Sequence, residues 1–317
     1  MKDFYQREIN YLRLSVTQRC NLSCRYCMPA SVKGNIHQQE VMTEEEMITA
    51  VKAASDLGIR KVRITGGEPL VKENILSICR RIAETEGIEE VCITTNGVLL
   101  SRLAIPLREA GVSRVNISLD TLKKEKYEFL TGSADYERVW EGIGTALQAG
   151  FERVKLNVVL MGGFNQEEIR DFANLTRKYP MDVRFIELMP MYEEGELGRG
   201  AHIPCSVVTA QVPELLPVKQ EEGVAALYGF SDGIGRVGLI SPVSDKFCSS
   251  CNRLRLTADG KLKPCLHTGE EISVKGMSLE QMRHQMKKAI CAKPACHKKL
   301  SYDEISEAGR SMSLIGG

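Results

Sequence analysis

The stretch GIRKVRIT at residues 58–65 places a glycine directly before a segment in which polar and apolar side chains alternate. Three further copies of this arrangement are GIEEVCIT from Gly87, GVSRVNIS from Gly111 and GFERVKLN from Gly150. Each copy follows a segment with a helical pattern, and glycine readily adopts the left-handed conformation that often ends a helix. The repeat therefore predicts helices that alternate with short strands.

Two further strands are predicted on either side of the four copies. They are YLRLSV at residues 11–16 and DVRFIELM at residues 182–189. Six strands that alternate with five or six helices predict a parallel sheet with crossover helices. A repeat of this length favours a barrel over a small open sheet. We therefore expect an α/β protein with a partial (β/α)6 TIM-like barrel.

The alternation within these strands predicts which side chains face the barrel interior. Positions such as Val62 and Ile64 are apolar and should face the helices, so their neighbours should face inward. The inward set is polar in five strands: Arg13, Ser15, Thr17, Arg63, Thr65, Cys92, Thr94, Asn116, Ser118, Lys155 and Asn157. Cations in a dry interior need anionic partners. We therefore predict a polar, anionic ligand inside the barrel.

The pattern changes after about residue 190, where polar and glycine-rich stretches replace the repeat. VAALYGF and RVGLISPVS then have the pattern of antiparallel strands, and they lead into a second group of cysteines. We expect a barrel domain at residues 5–225 and a smaller C-terminal domain at residues 226–317.

Composition excludes some classes of protein. Forty-two basic and forty-one acidic residues give a formal charge of +1, so no extended surface for nucleic acid or anionic membrane is indicated. The first residues lack an apolar signal region, and no apolar run has membrane-spanning length, so we expect a cytoplasmic protein. Eleven cysteines in such a chain favour metal binding over disulfides.

The segment CNLSCRYC at residues 20–27 contains three cysteines, Cys20, Cys24 and Cys27. Three thiolates in one loop can hold a cubane iron–sulfur cluster and leave one iron open to another ligand. The alternative is a zinc site completed by a remote fourth ligand. A second triad, Cys248, Cys251 and Cys265, allows a similar cluster or a structural zinc site with a ligand such as His267.

Two motifs together resemble those of the radical S-adenosylmethionine (SAM) superfamily. They are CNLSCRYC and the glycine-rich TGGEP at residues 65–69. The segment FCSSCNRLRLTADGKLKPCL and the ending SMSLIGG resemble the molybdenum cofactor biosynthesis protein A family, the GTP 3′,8-cyclases. The resemblance extends from about Tyr11 to the end of the chain. It implies that GTP is converted to 3′,8-cyclo-7,8-dihydro-GTP in the first step of molybdopterin (molybdenum cofactor) biosynthesis.

The resemblance also implies the roles of individual residues and the cofactors. Two [4Fe-4S] clusters would be held by the two triads, the first of which would bind SAM. The SAM contacts would be Tyr26, Gly67, Ser118 and Met189. The GTP contacts would be Arg13, Arg63, Thr94, Lys155, Arg253, Leu254 and Arg255. Arg255, Gly316 and Gly317 would lie nearest the reacting nucleoside.

Partners are implied in the same way. The enzyme would need an electron donor, would supply a downstream cyclic pyranopterin monophosphate synthase, and would be compatible with a homodimer. Two other functions stay open on the sequence alone. One is a radical SAM enzyme that modifies peptides, and the other is a zinc-stabilised binding module without turnover.

Overall fold

The computed structural model describes residues 1–28, 41–191, 201–219, 223–298, 300 and 306–316. The strands are β1 (Tyr11–Ser15), β2 (Lys61–Thr65), β3 (Glu90–Thr95), β4 (Arg114–Ser118), β5 (Arg153–Leu160), β6 (Met181–Glu187), β7 (Leu216–Pro217), β8 (Ala226–Gly229), β9 (Val237–Ile240), β10 (Arg253–Leu256), β11 (Lys261–Lys263) and β12 (Ile272–Ser273). The helices are α1 (Glu44–Asp56), α2 (Ile75–Ala83), α3 (Leu100–Glu109), α4 (Lys124–Thr131), α5 (Tyr136–Gln148), α6 (Ile169–Lys178), α7 (Ser206–Gln211), α8 (Leu279–Cys291) and α9 (Met312–Ile315).

Strands β1 to β6 lie side by side in chain order, and all of their pairings are parallel. The helices that connect them make this a (β/α)6 arrangement. In the described sheet, β12 lies at one edge and β7 at the other. The sheet therefore does not close on itself, and the barrel is partial. The predicted fold class is confirmed.

The C-terminal strands extend this sheet at both edges. Strand β10 pairs in parallel with β1, and β9 pairs in parallel with β6. The predicted antiparallel pair of β8 and β9 is confirmed. The sheet therefore continues across residue 225, and the domain boundary placed there stays a prediction. The pairing of β10 with β1 brings the second cysteine group to the first strand.

Local signals account for the ends of the helices. Thr43 and Glu46 form a reciprocal capping box at the start of α1, and Ser278 and Gln281 do the same for α8. Gly58, Gly111 and Gly150 lie directly after the ends of α1, α3 and α5, and Gly87 follows a short turn after α2. All four glycines have φ between 76° and 90°, which is the left-handed region.

The two faces of the strands have opposite environments. The apolar positions of each repeat pack with the helices in one hydrophobic core, as Val62 and Ile64 do. Burying such a side chain stabilises the fold by about 1.5–3 kcal/mol. Seven of the eleven alternate positions that were predicted to face inward, among them Arg63 and Lys155, line a cavity on the other face. The predicted alternation is confirmed. Among the described helices, none is long and apolar enough to cross a membrane.

Candidate active site

A cavity of about 430 Å³ extends along the inner face of the parallel strands, from Tyr11 and Lys61 at their starts to the loops that follow their carboxyl ends. Barrel enzymes place their active sites at the carboxyl ends of the strands. The residues predicted from the sequence that line the cavity are Arg13, Cys20, Cys24, Tyr26, Cys27, Arg63, Gly67, Thr94, Ser118, Lys155, Met189, Cys248, Cys251, Arg253, Arg255 and Cys265. Both cysteine triads therefore face one cavity, although more than 200 residues separate them in the chain.

The first triad lies on the loop that follows β1. The backbone N–H groups of Cys27 and Met28 donate to the Cys24 carbonyl at 3.0 and 2.8 Å, which closes a tight turn around the thiols. Burial raises the pKa of the Cys20 thiol to about 11 and that of Cys27 to about 12. Without metal these thiols are protonated at neutral pH, so metal binding has to release their protons.

The glycine-rich segment after β2 packs directly on this loop. The Gly67 N–H donates to the Thr17 carbonyl at 2.8 Å, and the Glu68 N–H donates to the Arg19 carbonyl at 2.8 Å. A Cβ at Gly67 would lie 2.7 Å from the Gln18 carbonyl oxygen and closer still to that of Arg19. Only glycine allows this approach of two backbones. The motif thus fixes the position of the first triad.

The second triad lies beside a buried lysine. The Lys293 Nζ is 3.9 Å from the Cys251 Sγ, and it donates to the carbonyls of Arg253 and Pro264 at 2.7 Å each. Burial alone would raise the pKa of the Cys251 thiol, but the charges of Lys293 and Arg253 lower it below its usual value. Burial raises the pKa of Cys265. This end of the cavity therefore favours a thiolate at Cys251.

The donor chemistry of both triads fits an iron–sulfur cluster, because three cysteine thiolates can hold the cluster while one iron stays open. Among the described residues, no three His, Cys, Asp or Glu side chains form a site for a single metal ion. The fit therefore rests on the thiol donors and on their shared position at the cavity wall.

The wall between the triads is strongly cationic. The buried Nε atoms of Arg13 and Arg253 have no hydrogen-bond partner within the described part of the chain. Burial and the charge of Arg255 hold the pKa of Arg13 well below its usual value. Burial, followed by the charge of Arg184, lowers the pKa of Lys155 to about 7, although Asp182 lies 3.8 Å away and opposes the shift. An anionic ligand would relieve this repulsion.

The sequence predictions missed several cavity residues, among them Tyr11, Lys61 and Arg184. The Tyr11 hydroxyl accepts a hydrogen bond from Arg63 Nε, and the Arg253 guanidinium lies 5.8 Å from the centre of the Tyr11 ring. Tyr11 and Lys61 have the same strand parity as the predicted inward residues of β1 and β2, and Arg184 is the register partner of the inward residue Asn157 of β5. Applying the alternation over whole strands would have found them.

Two buried carboxyl groups were also missed. Asp120 accepts from the Tyr26 hydroxyl at 2.8 Å and from the Val159 N–H at 2.7 Å, and burial raises its pKa to about 6. Burial raises the pKa of Glu68 to about 7, although it accepts from the N–H groups of Asn96 and Leu70. Asp120 therefore holds Tyr26, and Glu68 joins the glycine-rich segment to the end of β3.

Two described residues to which the family resemblance gives a role do not line the cavity. Leu254 is fully buried, and its side chain packs in the hydrophobic core instead of the cavity. The Gly316 carbonyl accepts from Arg255 Nη1 at 3.1 Å, which places Gly316 beside the wall. Gly317 lies outside the described residues.

Comparisons with known proteins agree with this arrangement. Residues 14–176 match the model of the radical SAM superfamily, and residues 181–299 match the model named Molybdenum Cofactor Synthesis C. The GTP 3',8-cyclase of Alkaliphilus oremlandii is 47% identical and that of Moorella thermoacetica is 44% identical, each over 100% of both chains.

Two solved structures share the fold. Streptococcus suis SuiB bound to S-adenosylmethionine has a TM-score of 0.64 at 14% identity, over 84% of this chain and 63% of that one. The protein anSMEcpe with bound AdoMet has a TM-score of 0.59 at 16% identity, over 92% of this chain and 82% of that one. At such identities the likeness concerns the fold alone.

Proposed function

Because the chain belongs to the GTP 3′,8-cyclase family of the radical SAM superfamily, we propose that the cavity between the two triads binds SAM and GTP side by side, each next to one cysteine triad. It is a radical SAM enzyme that converts GTP to 3′,8-cyclo-7,8-dihydro-GTP in molybdenum cofactor biosynthesis. The resemblance of the sequence motifs to this family is confirmed.

At one end, Cys20, Cys24 and Cys27 hold the [4Fe-4S] cluster that the superfamily implies. When bound, this cluster and SAM supply the one-electron chemistry that starts the reaction. Gly67 presents backbone groups to SAM, while Ser118 and Met189 flank it. Tyr26, held by Asp120, completes this end. The same assignment explains why Gly67 packs so closely on the cysteine loop.

In the middle, Arg13, Arg63 and Lys155 bind the triphosphate of GTP. The free Nε of Arg13 and the lowered pKa of Lys155 support this proposal, because both groups gain from an adjacent anion. We assign Lys61 and Arg184 to the same wall. Thr94 accepts from Arg63 Nη1 at 3.3 Å, so it orients that guanidinium.

At the far end, Cys248, Cys251 and Cys265 would hold a second [4Fe-4S] cluster, beside which the guanine would bind. Arg253 and Arg255 of β10 flank the base, and the backbone of Leu254 lies between them. The cation Lys293 beside Cys251 supports a thiolate there. Gly316 and Gly317 approach the nucleoside from the tail of the chain, and together with the buried walls they exclude water.

The observation that carries this proposal is that both triads and the cationic wall between them line one cavity. The test is anaerobic incubation of the reconstituted protein with GTP, SAM and dithionite, followed by mass analysis of the nucleotide. We expect the cyclised product and 5′-deoxyadenosine. Replacing Cys24 by Ala should abolish both products. The matched control is the replacement of the exposed Cys296 by Ala, which should keep full activity. 5′-Deoxyadenosine formed by the Cys24→Ala protein would refute the assignment of the first triad.

Four further proposals follow from family membership. A cellular electron donor reduces the first cluster, and the product passes to a cyclic pyranopterin monophosphate synthase. The enzyme works in the cytoplasm, and it forms a homodimer. Residues 5–225 and 226–317 are proposed as the barrel and C-terminal domains, joined by the continuous sheet.

A further inference from the structure

Residues 306–316, here called the tail, contact both ends of the cavity. Met312 and Ser313 line the cavity wall. The Ser313 N–H donates to the Cys27 thiol of the first triad. Three residues later, the Gly316 carbonyl accepts from Arg255, which lies near the second triad. One short helix, α9, therefore links the two proposed cluster sites.

The fit of the tail against the barrel is tight. Gly316 has φ of 87°, and a Cβ there would lie 2.6 Å from Thr65 Oγ1 and 2.7 Å from Ser15 Cβ. Such a contact leaves little freedom for the tail to shift without losing its bonds to Cys27 and Arg255. The contacts of the tail with Cys27 and Arg255 therefore depend on the interactions that fix the position of the tail.

Arg310 is the main charged contact of the tail with the rest of the molecule. Its Nη1 and Nη2 donate to the two Asp259 carboxylate oxygens at 3.0 and 2.9 Å. Its Nη2 also donates to Glu271 Oε2 at 2.8 Å, and its Nε lies 2.8 Å from Glu271 Oε1. The guanidinium thus forms paired bonds with two carboxylates, which fixes its position and its angle.

A second cation extends this network below the tail. Lys263 is fully buried, and its ammonium donates to the Ala308 carbonyl at 3.1 Å and to the Thr268 carbonyl at 2.9 Å. It also lies 3.3 Å from Glu271. Two cations and two carboxylates therefore balance in charge. We call Lys263, Asp259, Glu271 and Arg310 the tail anchor.

The energetics of buried charges indicate that the tail anchor fixes the position of the tail rather than adding to the stability of the fold. Charges taken out of water lose solvation, so buried ion networks often stabilise a fold no more than apolar residues of similar size. Paired, directional hydrogen bonds instead restrict the guanidinium and the carboxylates to one relative geometry. None of the four side chains lines the cavity, so none of them touches a substrate there.

We propose that the tail anchor positions Ser313 at the cavity wall and Gly316 beside it, and that Arg310, Asp259, Glu271 and Lys263 are positioning residues for the cyclisation. The proposal rests on the proposed function, because the place of the tail matters for turnover only if GTP reacts in this cavity. Small misplacements of a group near the reacting atoms can lower rates by about 100-fold.

The test compares the anaerobic holoenzyme with its Arg310→Gln variant by hydrogen–deuterium exchange and by kinetics. We expect amide exchange in residues 306–316 to quicken by about tenfold or more, since bonds to charged groups are lost. Exchange in β1 to β6 should stay unchanged. The kcat for cyclisation should fall by about tenfold or more, with a smaller change in KM for GTP. Arg310→Lys should restore part of both effects.

The matched control is Arg283→Gln, which removes an exposed arginine of α8 whose nearest carboxylate, Asp56, is 3.7 Å away. It should change neither the exchange of the tail nor the turnover. If Arg310→Gln does not fold, Glu271→Gln is the milder variant, because it keeps the pair of Arg310 and Asp259.

A double variant separates positioning from general damage. Gly316→Ala displaces the tail end directly, so adding Arg310→Gln to it should lower turnover little further. The proposal would be overturned if the losses of turnover in the double variant were fully additive. It would also be overturned if Arg310→Gln left the exchange of the tail unchanged, or quickened that exchange while keeping full turnover. Failure of the wild-type protein to form the cyclised nucleotide would instead refute the proposed function, while the exchange comparison would still decide whether the anchor holds the tail.

Discussion

Lys155 illustrates at the scale of a single residue how the charge of the cavity depends on its contents. Its ammonium is buried near Arg184, and these surroundings lower its pKa to about 7. A triphosphate in the cavity would favour the charged lysine and raise this pKa. GTP binding should therefore be coupled to proton uptake at Lys155.

The predicted consequence is a pH dependence of GTP affinity. In the free protein Lys155 loses its proton as the pH rises above about 7. GTP binding then has to restore the proton, so the Kd should rise by up to about tenfold per pH unit between about 7 and 8.5. This range lies above the second pKa of a phosphate ester, about 6. Isothermal titration calorimetry of GTP binding to the unreduced protein measures the slope.

The control for this prediction is Lys155→Gln, which has no titrating group at this position. It should bind GTP more weakly below pH 7 and show a flatter pH profile. Equal slopes in both proteins would contradict the assignment of the proton to Lys155.

The sequence predicted the inward position of Lys155, because side chains alternate strictly along a strand and the core face of β5 is apolar. It did not predict the lowered pKa. That shift comes from burial and from Arg184 on the next strand, and neither can be read from a local pattern. Arg184 itself obeys the same alternation, but β6 was treated only as a strand and its inward residues were not assigned.

At the scale of an element, the side chains of β10 alternate between the cavity and the hydrophobic core. Arg253 and Arg255 line the cavity, whereas Leu254 between them is buried in the core. Neighbouring positions of one strand therefore belong to different environments, as the alternation requires. Variants of adjacent residues should have opposite effects on stability and turnover.

The prediction concerns two alanine variants in β10. Leu254→Ala should lower the free energy of unfolding by about 2–5 kcal/mol, because it leaves a cavity in a packed core. Arg255→Ala should cost less stability and instead reduce GTP turnover, with SAM cleavage retained. Denaturant titration and product analysis of both proteins measure the two effects. Normal cyclisation by Arg255→Ala would remove this arginine from the site.

The pairing of β10 with β1 could not be predicted from the sequence. Its local pattern, RLRL, alternates as a strand does, although no strand was predicted there, and it contains no information on its partner. Parallel pairing across about 240 residues depends on the packing of the whole chain. By contrast, the antiparallel β8 and β9 are near in sequence, and their pairing was predicted correctly.

At the scale of the whole molecule, two triads on one cavity imply two clusters in one protein. Protein purified without oxygen should contain about eight irons per chain and little zinc. Replacing Cys248, Cys251 and Cys265 together by Ala should lower this to about four, with the absorbance of the first cluster retained. Iron, zinc and sulfide analysis gives the count. About four irons in the wild type would contradict the second cluster.

The fold class, the six parallel strands and both cysteine groups could be predicted from the sequence because each has a local pattern. Their meeting at one cavity could not. It depends on β10 and the tail meeting β1 and β2, which are contacts between distant parts of the chain. The residues implied by the family resemblance nevertheless converge there, apart from the side chain of Leu254, from Gly316 beside the wall and from the undescribed Gly317.

The central claim is that SAM and GTP share this cavity closely enough for a hydrogen atom to pass between them. Incubation of the anaerobic enzyme with SAM, dithionite and GTP deuterated at C3′ tests it directly. We predict that the 5′-deoxyadenosine formed gains one mass unit, in step with formation of the cyclised nucleotide. Unlabelled 5′-deoxyadenosine formed while GTP is cyclised would contradict the account.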